Sequence, residues 1–305
     1  MPRWDCNKFF HGGCRNPDAY ERFYFCSYGK PSALTTRTPP KFRYSKITLF
    51  TGQQPRHLAL VHRLAEITDT LYVVHEVAGR VTDRQESDDA MDKYFSKVQE
   101  AEFKYFGRIR FTPTNARTIS MLSGDASVVS FETYGAALEA ALFVVFGAFL
   151  KGDLGTFLEE HRAVNCHMGL SLYYRGSAAT FWAVDDGNYA HNGATIHHLT
   201  SKLDGGDIIC HCVPNMYGVD NVFDFTMKTV KVTHDALISI LSNGDIWRWK
   251  WQPQDASLKM RYCRKSDLTA DVARNWLATQ PTREDMAEKL NNSANPPALI
   301  RPFYG

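Results

Sequence analysis

A chain of 305 residues with 35 Lys plus Arg against 33 Asp plus Glu has a net charge of +2, so duplex nucleic acid and anionic membranes find no bulk electrostatic hold on it. Apolar residues at 44% and charged residues at 22% are ordinary globular usage and argue against a mostly disordered chain. The longest apolar run, 140–150, has 11 residues where a membrane-spanning helix needs roughly 20.

In chain order, residues 1–44 read as an extension that mixes aromatics, Gly, Pro and basic residues without a sustained period. Its start, MPRWDCNKFF, has charges and Pro where a signal peptide has its apolar stretch, so the expected compartment is the cytosol. Cys6, His11, Cys14 and Cys26 lack the paired short knuckles of familiar zinc sites, and no metal is expected there. With Cys166, Cys210, Cys212 and Cys263 they make seven cysteines, an odd number spread too widely for a disulfide framework. The Thr/Pro-rich run 32–40 reads as a linker.

Regular structure is expected from about Tyr44. Residues 47–50 form a β-prone run, 51–55 a turn, and Leu58, Val61, His62, Leu64 and Ala65 carry helical spacing. Residues 70–74 then read as a second buried strand, which completes a βαβ unit and points to a parallel sheet. The glycine turn at Gly52 lacks the G-x-G-x-x-G fingerprint of dinucleotide binding. An amphipathic helix follows over 88–106, a short strand over 127–130, a helix over about 133–141, and a fully buried central strand over 142–146.

Farther on, His197-His198 and Cys210-His211-Cys212 lie near alternating strands, where neighbouring side chains face opposite ways. They are read as core and surface residues rather than metal ligands. A long helix is expected over 221–241, ended by Ser242-Asn243-Gly244. Trp247, Trp249 and Trp251 alternate with Arg248 and Lys250, a strand pattern that puts three indoles on one packed face.

The chemistry concentrates in two stretches, Asn165-Cys166-His167 and Asp204-Gly205-Gly206-Asp207. Asn165 and His167 are two residues apart, so on a strand both face one side. The Gly-Gly turn lets Asp204 approach from a separate loop. An amide, an imidazole and a carboxylate at one point suit acyl transfer to an amine. The amide and imidazole stabilise a developing oxyanion, and the carboxylate orients the imidazole and handles protons. No Ser or Cys nucleophile is required if the amine attacks directly.

With these residues the chain resembles the folate-dependent formyltransferases, a group that includes methionyl-tRNA and glycinamide ribonucleotide formyltransferases and the N-formyltransferases of amino sugars. The shared elements appear in order as Asn165-Cys166-His167, Tyr174-Arg175-Gly176, Asp186-Gly187, Gly193-Ala194-Thr195-Ile196 and Asp204-Gly205-Gly206-Asp207. The resemblance implies an α/β fold, a Rossmann-like and mostly parallel sheet with flanking helices. It divides the chain into an N-terminal extension (1–44), a catalytic domain (45–245) and a short C-terminal appendage (246–305). It also implies Asn165, His167 and Asp204 as catalytic residues. Gly147, Ala148, Phe149 and Leu150, with Ser201, Lys202 and Leu203, would be the wall that holds the pterin of N10-formyltetrahydrofolate. Tyr173, Tyr174 and Arg175 would lie near the acceptor.

Leu172 stands where the family pattern has Pro before the Tyr-Tyr-Arg-Gly run, and the part after Trp251 is too short for the full C-terminal barrel of the methionyl-tRNA enzymes. The details around Gly169-Leu170-Ser171 and Phe181-Trp182 look most like the amino-sugar subgroup of surface-polysaccharide pathways. The expected acceptor is therefore the amine of a nucleotide-linked 4-amino-4,6-dideoxy sugar, with no nucleic-acid or membrane partner and with room for a homodimer. The alternatives are another amine (methionyl-tRNA, hydroxyornithine or glycinamide ribonucleotide) or an inert folate-binding module.

Overall fold

The structure, a computed structural model, describes residues 42–77, 88–109 and 111–304. The thiols and imidazole at Cys6, His11, Cys14 and Cys26 lie outside the described residues, as does the 32–40 linker.

The first unit is the expected βαβ. β1 (Tyr44–Thr51) leads through α1 (Pro55–Glu66) to β2 (Thr68–Val77). Pro55 opens α1, where its missing N–H costs nothing. α2 (Asp89–Phe106) is capped by Asp88, whose carboxylate accepts from Ala90 N at 2.8 Å. β3 (Ala116–Leu122), β4 (Leu142–Phe146), α3 (Gly152–Glu160), β5 (Val164–His167), β6 (Tyr174–Gly176), α4 (Ala179–Asp185), β7 (Ala194–His198) and β8 (Ile208–Cys212) follow. The 21-residue α5 (Val222–Ser242) begins where Asn221 Oδ1 accepts from Phe223 N and Asp224 N. After it come a helical turn, α6 (Asp245–Arg248), the short β9 (Arg261–Cys263), α7 (Ala270–Ala278) and α8 (Arg283–Asn291).

Seven strands form one sheet in the order β3-β2-β1-β4-β5-β7-β8, parallel from β3 to β5 and antiparallel at β7. Strand alternation sends Ile47 and Leu49 of β1, with Val144 and Phe146 of β4, into a large core under α1, α2 and α5. Phe50, Phe143 and Val145 point to the other face, where Leu154 and Leu158 of α3 cover them. All five residues of β4 are buried, which is why it reads as a continuous apolar run. The chain leaves β1 outward toward β3 and returns at β4, so strand order reverses between β1 and β4. In open α/β sheets, ligand sites lie at the carboxyl ends of the strands beside such a reversal.

Three expectations fail. Residues 127–130 are not a strand: they follow a single 3-10 turn (Asp125–Ser127), and Val128 is exposed. The helix expected over 133–141 is reduced to short 3-10 turns, Phe131–Thr133 and Gly135–Glu139. The tryptophans are not on one strand face either. Gly244, at a φ of +68°, turns the chain into α6 and leaves Trp247 exposed. Trp249 and Trp251 instead carry the guanidinium groups of Arg301 and Arg162 on their rings.

Residues beyond α5 pack onto the body of the chain. β9 pairs in parallel with β6, and Phe303 bridges to Cys212 on β8. No helix among the described residues is long and apolar enough to cross a membrane.

Candidate active site

β4 and β5 end side by side, and their ends bring the reading of Asn165 and His167 into three dimensions. Both side chains project from β5 toward one point, as the i, i+2 spacing requires. Asp204 arrives from the turn before β8. There its Oδ1 lies 3.3 Å from His167 Nδ1, and its Oδ2 accepts from Gly176 N at 2.8 Å. His167 and Asp204 are both buried. Asp204 holds a left-handed backbone, with φ +48°, a region uncommon for residues with a side chain, where Asp is tolerated better than most. Gly206 makes that turn fit, since a Cβ there would meet the His198 carbonyl oxygen at 1.8 Å.

Gln254, from the segment after α5, braces the same turn. Its Nε2 donates to the carbonyls of Asp204 (2.8 Å) and Gly206 (2.6 Å). Its Oε1 accepts from Arg175 Nη2 at 2.8 Å, and Arg175 Nε donates to Ser171 O at 2.7 Å. A fourth polar side chain also belongs to the cluster. His197 sits opposite Asn165 in the antiparallel β5–β7 register, and its Nε2 lies 3.0 Å from Asn165 Nδ2 and 3.9 Å from Asp204 Oδ1. Sequence reasoning treated His197 as a core residue, because only the strand register joins it to Asn165.

The hydrogen bonds dictate tautomers. His197 Nδ1 lies 2.8 Å from a carbonyl, that of His198, so Nδ1 carries the proton and Nε2 accepts from the Asn165 amide. Burial pushes this imidazole down to about 4, partly offset by the Asp204 charge, which keeps the ring neutral at pH 7. Asn165 is thereby oriented with Nδ2 toward His197, and that amide group has a second N–H to offer. His167 Nε2 lies 3.0 Å from the Tyr174 carbonyl and must donate to it. A neutral His167 would then turn a lone pair toward Asp204. The contact between Nδ1 and Oδ1 is favourable only with one proton between them.

Two cavities meet at this cluster. One of about 440 Å³ is lined by Gly147, Ala148 and Phe149, by Asn165, His167 and Asp204, and by 262–265 from β9 onward. The other, of about 280 Å³, is lined by Ala148, Phe149, Leu150, Ser201 and Leu203, with Asn165, His197 and Asp204 on the shared side. Gly147, Ala148, Phe149, Leu150, Ser201 and Leu203, the expected pterin wall, thus all line one or both of these cavities. Lys202 belongs to the same loop, although its side chain lines neither cavity. Outside strand and helix ladders, no backbone–backbone hydrogen bond engages Ala148, Phe149 or Leu150 among the described residues. Their N–H and C=O groups can meet the donor and acceptor edge of a flat heterocycle, so the wall fits a pterin.

The other three residues are placed elsewhere. Tyr173 and Tyr174 are buried; the Tyr173 hydroxyl accepts from Ala298 N at 2.8 Å and the Tyr174 hydroxyl from Asn188 Nδ2 at 2.7 Å. Arg175 is spent on Ser171 and Gln254. None of the three side chains lines either cavity. The reason is packing: β6 is held between Leu170 and β9, which turns the two tyrosines into the core and leaves Arg175 partly exposed against Gln254. Among the described residues no group of three His, Cys, Asp or Glu side chains forms a metal site.

Residues 127–241 match the family model described as Formyl transferase, and Asn165, His167, His197 and Asp204 all fall within that match. A methionyl-tRNA formyltransferase of Streptococcus thermophilus is 29% identical over 45% of this chain and 42% of its own length. One from Listeria welshimeri is 35% identical over 48% and 46%. The chain therefore spans less than half the length of the curated relatives it matches. Among solved structures, a sugar N-formyltransferase from Shewanella sp FDAARGOS_354 aligns over 84% of this chain and 96% of that one, at 15% identity and a TM-score of 0.45. A 4-N formyltransferase from Francisella tularensis aligns over 85% and 92%, at 16% identity and a TM-score of 0.45.

Proposed function

We propose that this chain is an N-formyltransferase that moves the formyl group of N10-formyltetrahydrofolate to the amine of a nucleotide-linked amino sugar of the 4-amino-4,6-dideoxy type. The observation that carries the reading is the position of Asn165 and Asp204, which line both cavities at once. Such a site has room for a donor on one side and an acceptor on the other, with the amide and the carboxylate in reach of both. The smaller cavity, along Ala148, Phe149, Leu150, Ser201 and Leu203, takes the pterin.

The folate supplies an activated formyl carbon; the rest of the chemistry falls to the chain. Asn165, fixed by His197, holds an amide N–H where negative charge grows on oxygen. His167 and Asp204 hold one proton at their contact, Asp204 accepts a further proton as the attacking amine loses it, and a proton is returned to N10 of the folate as the bond between N10 and the formyl carbon breaks. The walls around Phe146, Met168 and Leu203 limit water at the junction.

The resemblance to methionyl-tRNA formyltransferases supports a second acceptor, methionyl-tRNA. The net charge of +2 weighs against it, since tRNA binding needs a basic surface. A panel decides between them: amino-sugar nucleotides, methionyl-tRNA, hydroxyornithine and glycinamide ribonucleotide, each with N10-formyltetrahydrofolate, with mass spectrometry of the product. Formylation of an amino-sugar nucleotide in preference to the others is the expected result. Formylation of methionyl-tRNA alone would replace the acceptor, and no turnover with any amine would leave a folate-binding module.

A further inference from the structure

The larger cavity has a wall that the family match does not reach. Residues 127–241 supply its β4 and β5 side, whereas Tyr262, Cys263, Arg264 and Lys265 close the opposite side. This wall is held in place by structure. β9 pairs with β6 from Tyr174↔Arg261 to Gly176↔Cys263, Ser177 N donates to Cys263 O at 2.9 Å, and a Cβ at Gly176 would lie 2.1 Å from that oxygen. The 3-10 turn Lys265–Asp267 is pinned by Asp267, which accepts from Arg264 N at 2.8 Å.

The charges on this wall are of one sign at the cavity. Arg261, on the same strand, is committed elsewhere: it pairs with Asp186 at 2.6 Å and lies 3.7 Å over the Trp182 ring. Arg264 and Lys265 are exposed at the cavity, and the only carboxylate among its described lining residues is Asp204, which is occupied with His167 and Gly176. A planar guanidinium fork beside a point-charge ammonium matches the oxygens of a phosphate. Tyr262, 49% exposed on the same wall, offers a ring face on which a base can stack.

We infer that Arg264, Lys265 and Tyr262 form the recognition site for a nucleoside diphosphate, the anionic end of the acceptor. The inference rests on the formyl-transfer reading and adds to it the residues that select the substrate class. The amine end then points inward at Asn165 and Asp204. The anionic end stays at the rim, where its charge is met without burying an unpaired lysine.

The test is a calorimetric titration of the full chain with UDP, dTDP, GDP and inorganic pyrophosphate, repeated with the Arg264→Ala/Lys265→Ala double variant. The Lys93→Ala/Lys97→Ala double variant serves as a charge-matched control, because both lysines lie on α2 in exposed pairs, with Asp89 and Glu100. Partly exposed charge contacts predict about tenfold weaker diphosphate binding in the double variant, with a shallower salt dependence. The control should match the wild type, and thermal unfolding at the wild-type temperature shows that the double variant is folded. Tyr262→Ala should weaken a nucleoside diphosphate and spare pyrophosphate. Equal diphosphate affinity in wild type and double variant overturns the inference, as does tRNA binding tighter than any diphosphate. These titrations involve no turnover, so absence of formyl transfer with every amine would sink the enzymatic reading separately.

Discussion

Replacing Gln254 by Ala removes a brace that lies outside the matched segment yet acts on Asp204. The wild-type side chain makes two bonds to the Asp204–Gly206 turn and one to Arg175, at 2.8, 2.6 and 2.8 Å. At about 1 kcal/mol net for each bond, the turn loses about 2–3 kcal/mol of support. A left-handed non-glycine residue costs about 1–2 kcal/mol to hold, so the Asp204 backbone relaxes once that support is gone. If about 2 kcal/mol of the loss appears in the geometry of Asp204 against His167, kcat falls about 30-fold. Steady-state formyl transfer with the acceptor found in the panel gives the measurement. The expected split is a low kcat with little change in KM for the folate, whose wall Gln254 does not touch. Gln254→Met keeps the volume but not the hydrogen bonds, and it should be as slow as Gln254→Ala. A kcat within about twofold of wild type, measured well below the unfolding temperature of the variant, would refute the positioning role and reduce Gln254 to a stabilising residue.

Four other outcomes follow. His167→Ala and Asp204→Asn should each slow formyl transfer about 100-fold or more, with Asp204→Asn slow at every pH; near-normal turnover at matched stability would remove them from the chemistry. Stability should fall as pH drops from about 6.5 toward 4. Burial depresses His191, His197 and His211 to about 4 and His234 to about 3, so the unfolded chain binds more protons than the folded one through that window. Uptake of about 3–4 protons gives a slope of about 5 kcal/mol per pH unit near pH 5, and denaturant titrations showing equal stability at pH 5 and pH 7 would contradict it. Gly176→Ala should displace β9 and impair activity more than folding, because a side chain there collides with Cys263 O at 2.1 Å and φ is +92°; limited proteolysis after 245 would report the displacement. A chain starting at Lys41 should fold and turn over normally, since Phe42 and Arg43 supply the first described contacts, to Ser242, Glu66 and Asp69; loss of acceptor binding by such a folded chain would bring 1–40 into the site.

What the sequence made legible was whatever rests on local pattern. β4 is an unbroken apolar run because helices cover both faces, and α5 announces itself by its Asn221 cap and its apolar stripe. Asn165 and His167 were legible because a strand has a period of two. β3 escaped because it is an edge strand with only partly buried residues, so Ala116–Leu122 shows little core signal. Val128 and Val129 suggested a strand by propensity that tertiary packing overrides. His197 and Gln254 were invisible for a different reason. One reaches the cluster through antiparallel register and the other by a return of the chain from beyond α5, and neither relation leaves a mark in the residues nearby. Tyr173, Tyr174 and Arg175 were expected near the acceptor from their neighbours along the chain, but bonds to Ala298, Asn188 and Gln254, all distant in sequence, engage their side chains away from the two cavities.

The pairing of β6 with β9 also bears on how the molecule comes into being. Tyr174 finds Arg261, and Cys212 finds Phe303, only once the segment beyond α5 has been made. Contacts of such long sequence separation are slow to form, because loop closure has to precede any reward. The parallel sheet can assemble from nearer neighbours, β1 with β2 and β2 with β3. A nascent chain whose segment beyond α5 is still being made can hold the sheet with the Tyr262–Lys265 wall of the larger cavity missing.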